Sequence, residues 1–285
     1  MKKPSIFFPL VLLSMLLTAQ HGKVYDNLTM DSEILGMERK YAIYLPPDYE
    51  TSERSYPVLY LLHGAGDDQT GWIQFGEVLR ITDKAICEGS ATSMIIVMPD
   101  ARTGKRGYFN DIQGEWRYED FFFDEFIPFV EDTYRIRSEK RYRAISGLSM
   151  GGGGTFMYAL HHPEMFIAAC PMSANCGALS LEDMDRRLQR SGAKVDEKTK
   201  EAYFRQNSAV PLVNDMPAEK IKEVNWYIDC GDDDFLFKGN SLIHIAMRKK
   251  EIPHEFRIRD GDHTWTYWRA SLKDVLSFVS DHFHH

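Results

Sequence analysis

Nine residues constrain this chain more than any others. From Ser146 to Gly154 the sequence reads SGLSMGGGG, with five of the chain's 20 glycines gathered round one serine. The run lies between RYRAISG, an apolar stretch that reads as a buried strand, and TFMYALHHPEMF, which has helix-compatible composition. Glycine costs a helix interior roughly 1 kcal/mol relative to alanine, so helix propensity does not account for it. A serine centred in Gly-x-Ser-x-Gly at a strand-to-helix turn does. Small neighbours at Gly147 and Gly151 let the chain reverse sharply enough to leave Ser149 Oγ exposed at the helix N-terminus. There the backbone N–H groups and the helix dipole favour a developing anion. Gly152 to Gly154 let the following helix lie close to a sheet. The spacing matches neither Gly-x-Gly-x-x-Gly nor the phosphate-binding loop, whose lysine directly follows a glycine, so it does not indicate a nucleotide site.

The rest of the chain alternates between strand and helix patterns. RKYAIYL, YPVLYLLHG, SMIIVMPDA, RYRAISG, FIAACPMSA, NWYIDCGDD and HEFRIRDGD are short apolar or alternating runs bounded by turn residues, and they read as strands. GWIQFGEVLRITDKAICEG, YEDFFFDEFIPFVEDTY, SLIHIAMRKK and YWRASLKDVLSFVSDHF have helical spacing. Such alternation predicts an α/β fold, a mostly parallel twisted sheet with right-handed crossovers and helices on both faces. Residues 175–224 are charged and partly helical and too long for an ordinary loop. They are expected to form a helical insert that caps one end of the sheet.

Composition narrows the setting. Residues 1–20 carry two lysines and then an apolar run from Ile6 to Leu17, the pattern of a secretory signal peptide and short for a membrane span. Export to a bacterial periplasm or to the outside is expected, with no stable membrane insertion after cleavage. Residues 21–285 are then long enough for one large α/β domain. A net charge of -8 and a pI near 5.7 argue against a nucleic-acid partner. The spacing of Cys87, Cys170, Cys176 and Cys230 fits no zinc pattern. Neither a metal nor an organic cofactor is expected.

A serine hydroxyl needs a base to take its proton. His161 and His162 lie along the same helix as Ser149, roughly 18 Å away at 1.5 Å per residue, which removes them. His254 opens the last strand and His263 follows it. Active sites gather at the carboxyl ends of parallel strands, which selects His263. The group that orients the imidazole is sought in YIDCGDDDFLF. Asp229 lies within the strand, whereas Asp232, Asp233 and Asp234 follow it; Asp234 is preferred and Asp233 comes next. The backbone amide of Met150, directly after the serine, and that of Ala65, in LLHGAGDD, are the expected anion donors. His63 is read as the pivot of that turn.

LLHGAGDD, GLSMGGGG, DCGDDDFL and GDHTWTYW occur in this order across nearly all of residues 21–285. Together they resemble the esterase D branch of the α/β-hydrolases, which contains feruloyl and acetyl xylan esterases, S-formylglutathione hydrolases and mycolyltransferases. The resemblance implies an α/β-hydrolase fold, with the helical insert between its sixth and seventh core strands. It places the acid three residues after the glycine of CGxxD, on Asp234, and the base in GxHxW, on His263. The function it implies is that of a secreted serine carboxylesterase working through an acyl-enzyme. Export and the aromatic residues near strand ends point to feruloyl or acetyl esters on plant polysaccharide fragments such as xylan. Trp72, Tyr108, Asn110, Trp116 and Trp265 are the expected substrate contacts, since aromatic faces stack on sugars and phenolic groups. The alternatives are a broad short-chain carboxylesterase and, behind it, an S-formylglutathione hydrolase or an acyltransferase.

Overall fold

The computed structural model describes residues 21–102 and 107–284. The expected signal peptide, residues 1–20, lies outside them. Eight strands form one sheet: β1 Lys23–Ser32, β2 Met37–Leu45, β3 Val58–Leu62, β4 Ile95–Pro99, β5 Arg143–Leu148, β6 Ala168–Met172, β7 Asn225–Gly231 and β8 Glu255–Arg259. Their order is β1-β2-β4-β3-β5-β6-β7-β8. β2 runs antiparallel to both β1 and β4, and every pairing from β4 to β8 is parallel. This is the sheet of the α/β-hydrolase fold. After β3 the chain builds β4 on one side and then returns to build β5 on the other. The strand order therefore reverses at β3 and β5, the place where open α/β sheets set their ligands at the carboxyl ends.

All seven strands expected from hydrophobic pattern are present, and β1 is an addition. An edge strand that leaves most of its residues in solvent carries little apolar signal. In β1 only Met30 and Ser32 are buried.

Helices cover both faces because the strands alternate. In β3, Val58, Tyr60 and Leu62 face one core while Leu59 and Leu61 face the other. The stretch Gly71 to Gly89, which reads as one helix, is split into α1 Gly71–Gln74 and α2 Val78–Cys87 by Glu77, whose φ is 54°. The aromatic stretch forms α3 Tyr118–Asp120, a π-helical segment Phe121–Phe126, and α4 Ile127–Thr133. α5 Met150–His161 carries the glycine run and is buried from Gly151 to Leu160. Then come α6 Leu181–Ser191, α7 Glu197–Gln206, α8 Ala209–Asp215, α9 Ala218–Ile221, α10 Phe237–Lys249 and α11 Trp265–His284. α2 and α11 cover one face of the sheet, and the helices from α3 to α5, with α8 and α10, cover the other.

The insert between β6 and β7 divides in two. Ala209, Val213 and Ile221 from α8 and α9 belong to the main core, so this half is part of the body of the fold. α6 and α7 are solvated, burying little beyond Met184 and Lys200. Each starts with a side-chain cap: Ser180 Oγ accepts from Asp183 N at 3.1 Å, and Asp196 Oδ1 accepts from Thr199 N at 2.8 Å, bonds worth about 1 kcal/mol each. The four cysteines are free thiols; Cys170, Cys176 and Cys230 are buried and Cys87 is exposed. Burial pushes the three inner thiols well above the usual thiol range.

One histidine ties the insert to the core. His161 Nδ1 meets Glu119 Oε1 at 2.7 Å and Nε2 meets the Gln206 carbonyl oxygen at 2.7 Å. A carboxylate and a carbonyl only accept, so both ring nitrogens carry protons and the ring is an imidazolium. Burial opposes that charge, but the Glu119 carboxylate outweighs it and raises the His161 pKa. Burial likewise opposes the charge of Glu119, yet hydrogen bonds from His161 and His162 bring its pKa down to about 2. The His161 contribution is therefore complete below the unfolded value of about 6.5 and fades as the pH rises through the higher folded value. That of Glu119 is complete above its unfolded value of about 4.3 and is lost as the pH falls toward about 2. His161→Phe should lower stability near pH 6 by about 1.5–3 kcal/mol, measured by denaturant unfolding. The gap to wild type should shrink in alkaline solution, and a gap that stays constant would show the bond is not ionic.

Candidate active site

β5 ends in a turn that few residues tolerate. Ser149 has φ 55° and ψ −112°, a strained conformation for a side chain with a Cβ. Three backbone bonds hold it: Ser149 N donates to Met172 O at 3.0 Å, and Ser149 O accepts from Gly153 N at 3.0 Å and from Asn175 N at 2.9 Å. The glycines explain how such a turn packs. A Cβ on Gly147 would sit 2.7 Å from the Gly151 backbone, and one on Gly151 would sit 2.6 Å from Leu62 O. A Cβ on Gly152 would meet Met172 O at 2.6 Å, and one on Gly153 would meet Asn175 O at 2.3 Å. The run therefore lets α5 press against the ends of β3 and β6 without a side chain between them.

Three side chains from three loops converge above this turn. His263 Nε2 lies 2.9 Å from Ser149 Oγ, and its Nδ1 lies 2.8 Å from Asp234 Oδ2. Asp234 Oδ1 accepts from Leu236 N at 2.8 Å, so the loop after β7 fixes the carboxylate from within. Burial works against the charge on Asp234, but donors from His263, the Leu236 amide and Ser173 more than compensate, and the carboxyl pKa is lowered. The group stays ionised and Nδ1 of His263 carries the proton. Nε2 is then free to accept from the serine hydroxyl.

The other acids are placed elsewhere. Asp229 is buried in β7, where Arg259, Tyr227 and Tyr267 surround its carboxylate. Asp232 and Asp233 are exposed, and with exposed Asp260 they bring carboxylate oxygens within 4.8 Å of one another. They form the one such grouping of potential metal ligands among the described residues, and they stand outside the serine–histidine–aspartate chain.

Two amides near the serine turn have no backbone acceptor among the described residues. Met150 opens α5, so its N–H has no intrahelical acceptor. The loop after β3 approaches closely enough that a Cβ on Gly64 would lie 3.5 Å from Ser149 Cβ, and Ala65 follows it with no hydrogen-bond partner for its amide among the described residues. His63 is the buried pivot of that loop. Its Nδ1 donates to Gly64 O at 2.8 Å and its Nε2 accepts from Ala101 N at 2.9 Å. Burial lowers its pKa, and the ring is neutral.

The expected substrate contacts lie at different depths. Trp72 is fully buried and donates Nε1–H to Leu62 O at 3.0 Å. Tyr108 is fully buried, with its hydroxyl on the His63 amide at 2.8 Å. Trp116 is buried beside Tyr118. The Asn110 amide is committed to Asp120 Oδ1 at 2.7 Å and to the Glu119 backbone at 3.0 Å. Trp72, Tyr108 and Trp116 are thus packed into the core, and Asn110 is half-buried with its amide engaged. Trp265 remains available: it is half-buried, edge-on to Trp72 at 5.2 Å and tilted against exposed Phe75 at 5.9 Å. The residue that sequence reasoning missed is Phe235, which is 75% exposed with its ring centroid 4.5 Å from that of His263. Its signal was its place directly after Asp234.

Comparison with known proteins agrees with this geometry. Residues 32–279 match the family described as putative esterase. The chain belongs to that family. A solved structure of a ferulic acid esterase superposes on this family member with a TM-score of 0.81 and 36% identity, covering 92% of this chain and 99% of that one. An endo-1,4-beta-xylanase/feruloyl esterase of Xylanibacter ruminicola is 35% identical over 152 residues, 51% of this chain and 21% of that protein. An esterase of Mycobacterium tuberculosis is 36% identical over 143 residues, 49% of this chain and 29% of that protein. The matched segment thus spans less than a third of either curated relative.

The turn can be tested by itself. Gly153→Ala should displace α5 from Asn175 and lower stability by about 1–3 kcal/mol, read by thermal unfolding, with a loss of activity greater than the loss of folded protein. Wild-type stability in this variant would show that the helix has room.

Proposed function

We propose that this chain is an exported serine carboxylesterase that cleaves feruloyl or acetyl esters on plant polysaccharide fragments. The observation that carries the esterase chemistry is the hydrogen-bonded chain Ser149 Oγ–His263–Asp234 at a strained strand-to-helix turn. In this reading His263 Nε2 takes the Ser149 proton as Oγ attacks the ester carbonyl. The Met150 and Ala65 amides donate to the oxyanion, and Asp234 stabilises the imidazolium. His263 then returns the proton to the departing alcohol, leaving an acyl group on Ser149. Water, deprotonated by the same histidine, releases the acid.

The aromatic acyl preference is supported by the surroundings of His263. Phe235, 75% exposed, packs against the imidazole, and Phe75, 47% exposed, packs against Trp265. Large apolar side chains left in water beside a reacting centre lose that exposure when a planar acyl group binds. Similarity to the ferulic acid esterase structure supports the same substrate class. Export rests on the sequence of residues 1–20.

A fluorophosphonate should label one site, the Ser149 peptide, by mass spectrometry. Asp234→Asn should reduce kcat on the order of 10³–10⁴, while Asp233→Asn changes it less than about twofold. Labelling at another serine, or the reverse ranking of the two aspartates, would overturn the assignment. On substrate, Phe235→Ala should lower kcat/KM for a feruloyl ester by about tenfold and leave the acetyl ester of the same alcohol nearly unchanged. Equal losses on both esters would favour a broad short-chain esterase.

A further inference from the structure

The short elbow between α1 and α2, Phe75 to Glu77, lies against the start of α11. Gly76 makes the close approach: a Cβ there would sit 2.9 Å from Cζ3 of Trp265 and 2.7 Å from the Trp72 carbonyl oxygen. Glu77 takes φ 54°, a left-handed backbone that glycine adopts freely and a residue with a Cβ adopts only at a cost. What the glutamate adds is a carboxylate. Its Oε2 accepts from Arg80 Nε of α2 at 2.5 Å, and its Oε1 lies 3.5 Å from Nε of Arg269, on α11. The Arg269 guanidinium reaches further: Nη1 donates to the Phe75 carbonyl oxygen at 2.9 Å and Nη2 to Thr266 Oγ1 at 3.2 Å. One planar group thus grips both ends of the elbow and its own helix. Arg269 stands one turn beyond Trp265 on α11, so the two side chains share a face. The Phe75 ring lies tilted on Trp265, centroids 5.9 Å apart at 38°; Trp265 is edge-on to Trp268 at 5.3 Å, and Trp268 to His263 at 4.9 Å. A continuous row of rings therefore leads from the imidazole to exposed Phe75, and Arg269 holds its outer end by the backbone. Ion pairs as exposed as this one add little to folding, so position is what the clasp supplies.

We propose that Arg269 and Glu77 are specificity-determining positioning residues, a role that rests on the esterase reading above: together they fix the α1–α2 elbow so that Phe75 and Trp265 form the outer wall of a site for an aromatic acyl group. A planar phenolic ring gains most from such a wall when the two rings are already held at a fixed angle. An acetyl group has no ring to lay there. The same clasp accounts for a glutamate at a position that favours glycine, and for an arginine, whose fork bonds a carbonyl and a hydroxyl at once.

The test compares methyl ferulate with methyl acetate on the full chain carrying Arg269→Ala, Phe75→Ala, both together, or Glu77→Gly. Arg269→Ala should lower kcat/KM for methyl ferulate about three- to tenfold, through KM with kcat unchanged, and that for methyl acetate no more than about twofold. Phe75→Ala should show the same selective loss, and the double variant should lose no more than Phe75→Ala does alone. Glu77→Gly removes the carboxylate and the backbone strain together, so it should be at least as stable as wild type and still lose selectivity. The indole proton NMR resonances of Trp265, identified by their absence in Trp265→Phe, report on the Phe75 ring whether or not an ester is cleaved. They should move in Arg269→Ala toward their positions in Phe75→Ala. If wild type cleaves neither ester, the esterase reading fails, and moved resonances still support the clasp. Equal losses on the two esters, additive losses in the double variant, wild-type preference in Glu77→Gly, or unmoved Trp265 resonances in Arg269→Ala would overturn it.

Discussion

Close backbone contact between α5 and the ends of β3 and β6 is the constraint on which the rest depends. Four glycines bring helix and strand backbones to distances that would place an added Cβ within 2.3–2.7 Å of neighbouring backbone atoms. That contact holds Ser149 at its positive φ and sets the first turn of α5, whose Met150 amide has no acceptor within the helix, near the loop that carries Ala65. Neither sheet nor helix achieves this alone. The strained serine is stabilised by the packing of an otherwise apolar core, with the bonds to Met172, Gly153 and Asn175 fixing its orientation.

The polar machinery is assembled from separate loops and kept ionised by hydrogen bonds. Asp234 is buried, and an isolated buried carboxylate would be protonated. Its donors reverse that tendency. The same logic recurs at Glu119, where two histidines hold a buried carboxylate charged, but there the pair fastens α7 to α5 and lies at the opposite end of the helix from Ser149. Two acid–histidine pairs thus flank one helix. The one at its N-terminus shares its imidazole with a hydroxyl, and the one at its C-terminus has its second nitrogen capped by a backbone carbonyl.

Most of the fold was legible in sequence because parallel strands buried on both faces are short, apolar and bounded by turns. Ser149 and Asp234 were legible because each follows such a strand at its carboxyl end, and His263 because it follows β8, whose alternation and closing turn residues mark it despite its exposure. β1 was not, since an edge strand with most residues in water has no apolar run to read. The break at Glu77 was hidden because helical spacing continues across it. The depth of the aromatic residues was not legible for a different reason. Periodicity tells which face a residue takes but not how deep it lies, and Trp72, Tyr108 and Trp116 are packed into the core. Phe235 stayed outside.

The position of His263 has a consequence for how the molecule comes into being. It directly precedes α11, whose Leu272, Val275, Leu276, Val279 and Phe283 supply much of the core on one face of the sheet. During synthesis the chain emerges from its N-terminus, so the serine turn between β5 and α5 can form while the imidazole has yet to be made. The hydroxyl then has no imidazole beside it, and docking of α11 is what brings His263 into register. A nascent chain, or one clipped before His263, therefore keeps the serine turn without the imidazole that meets Ser149 Oγ in the folded protein.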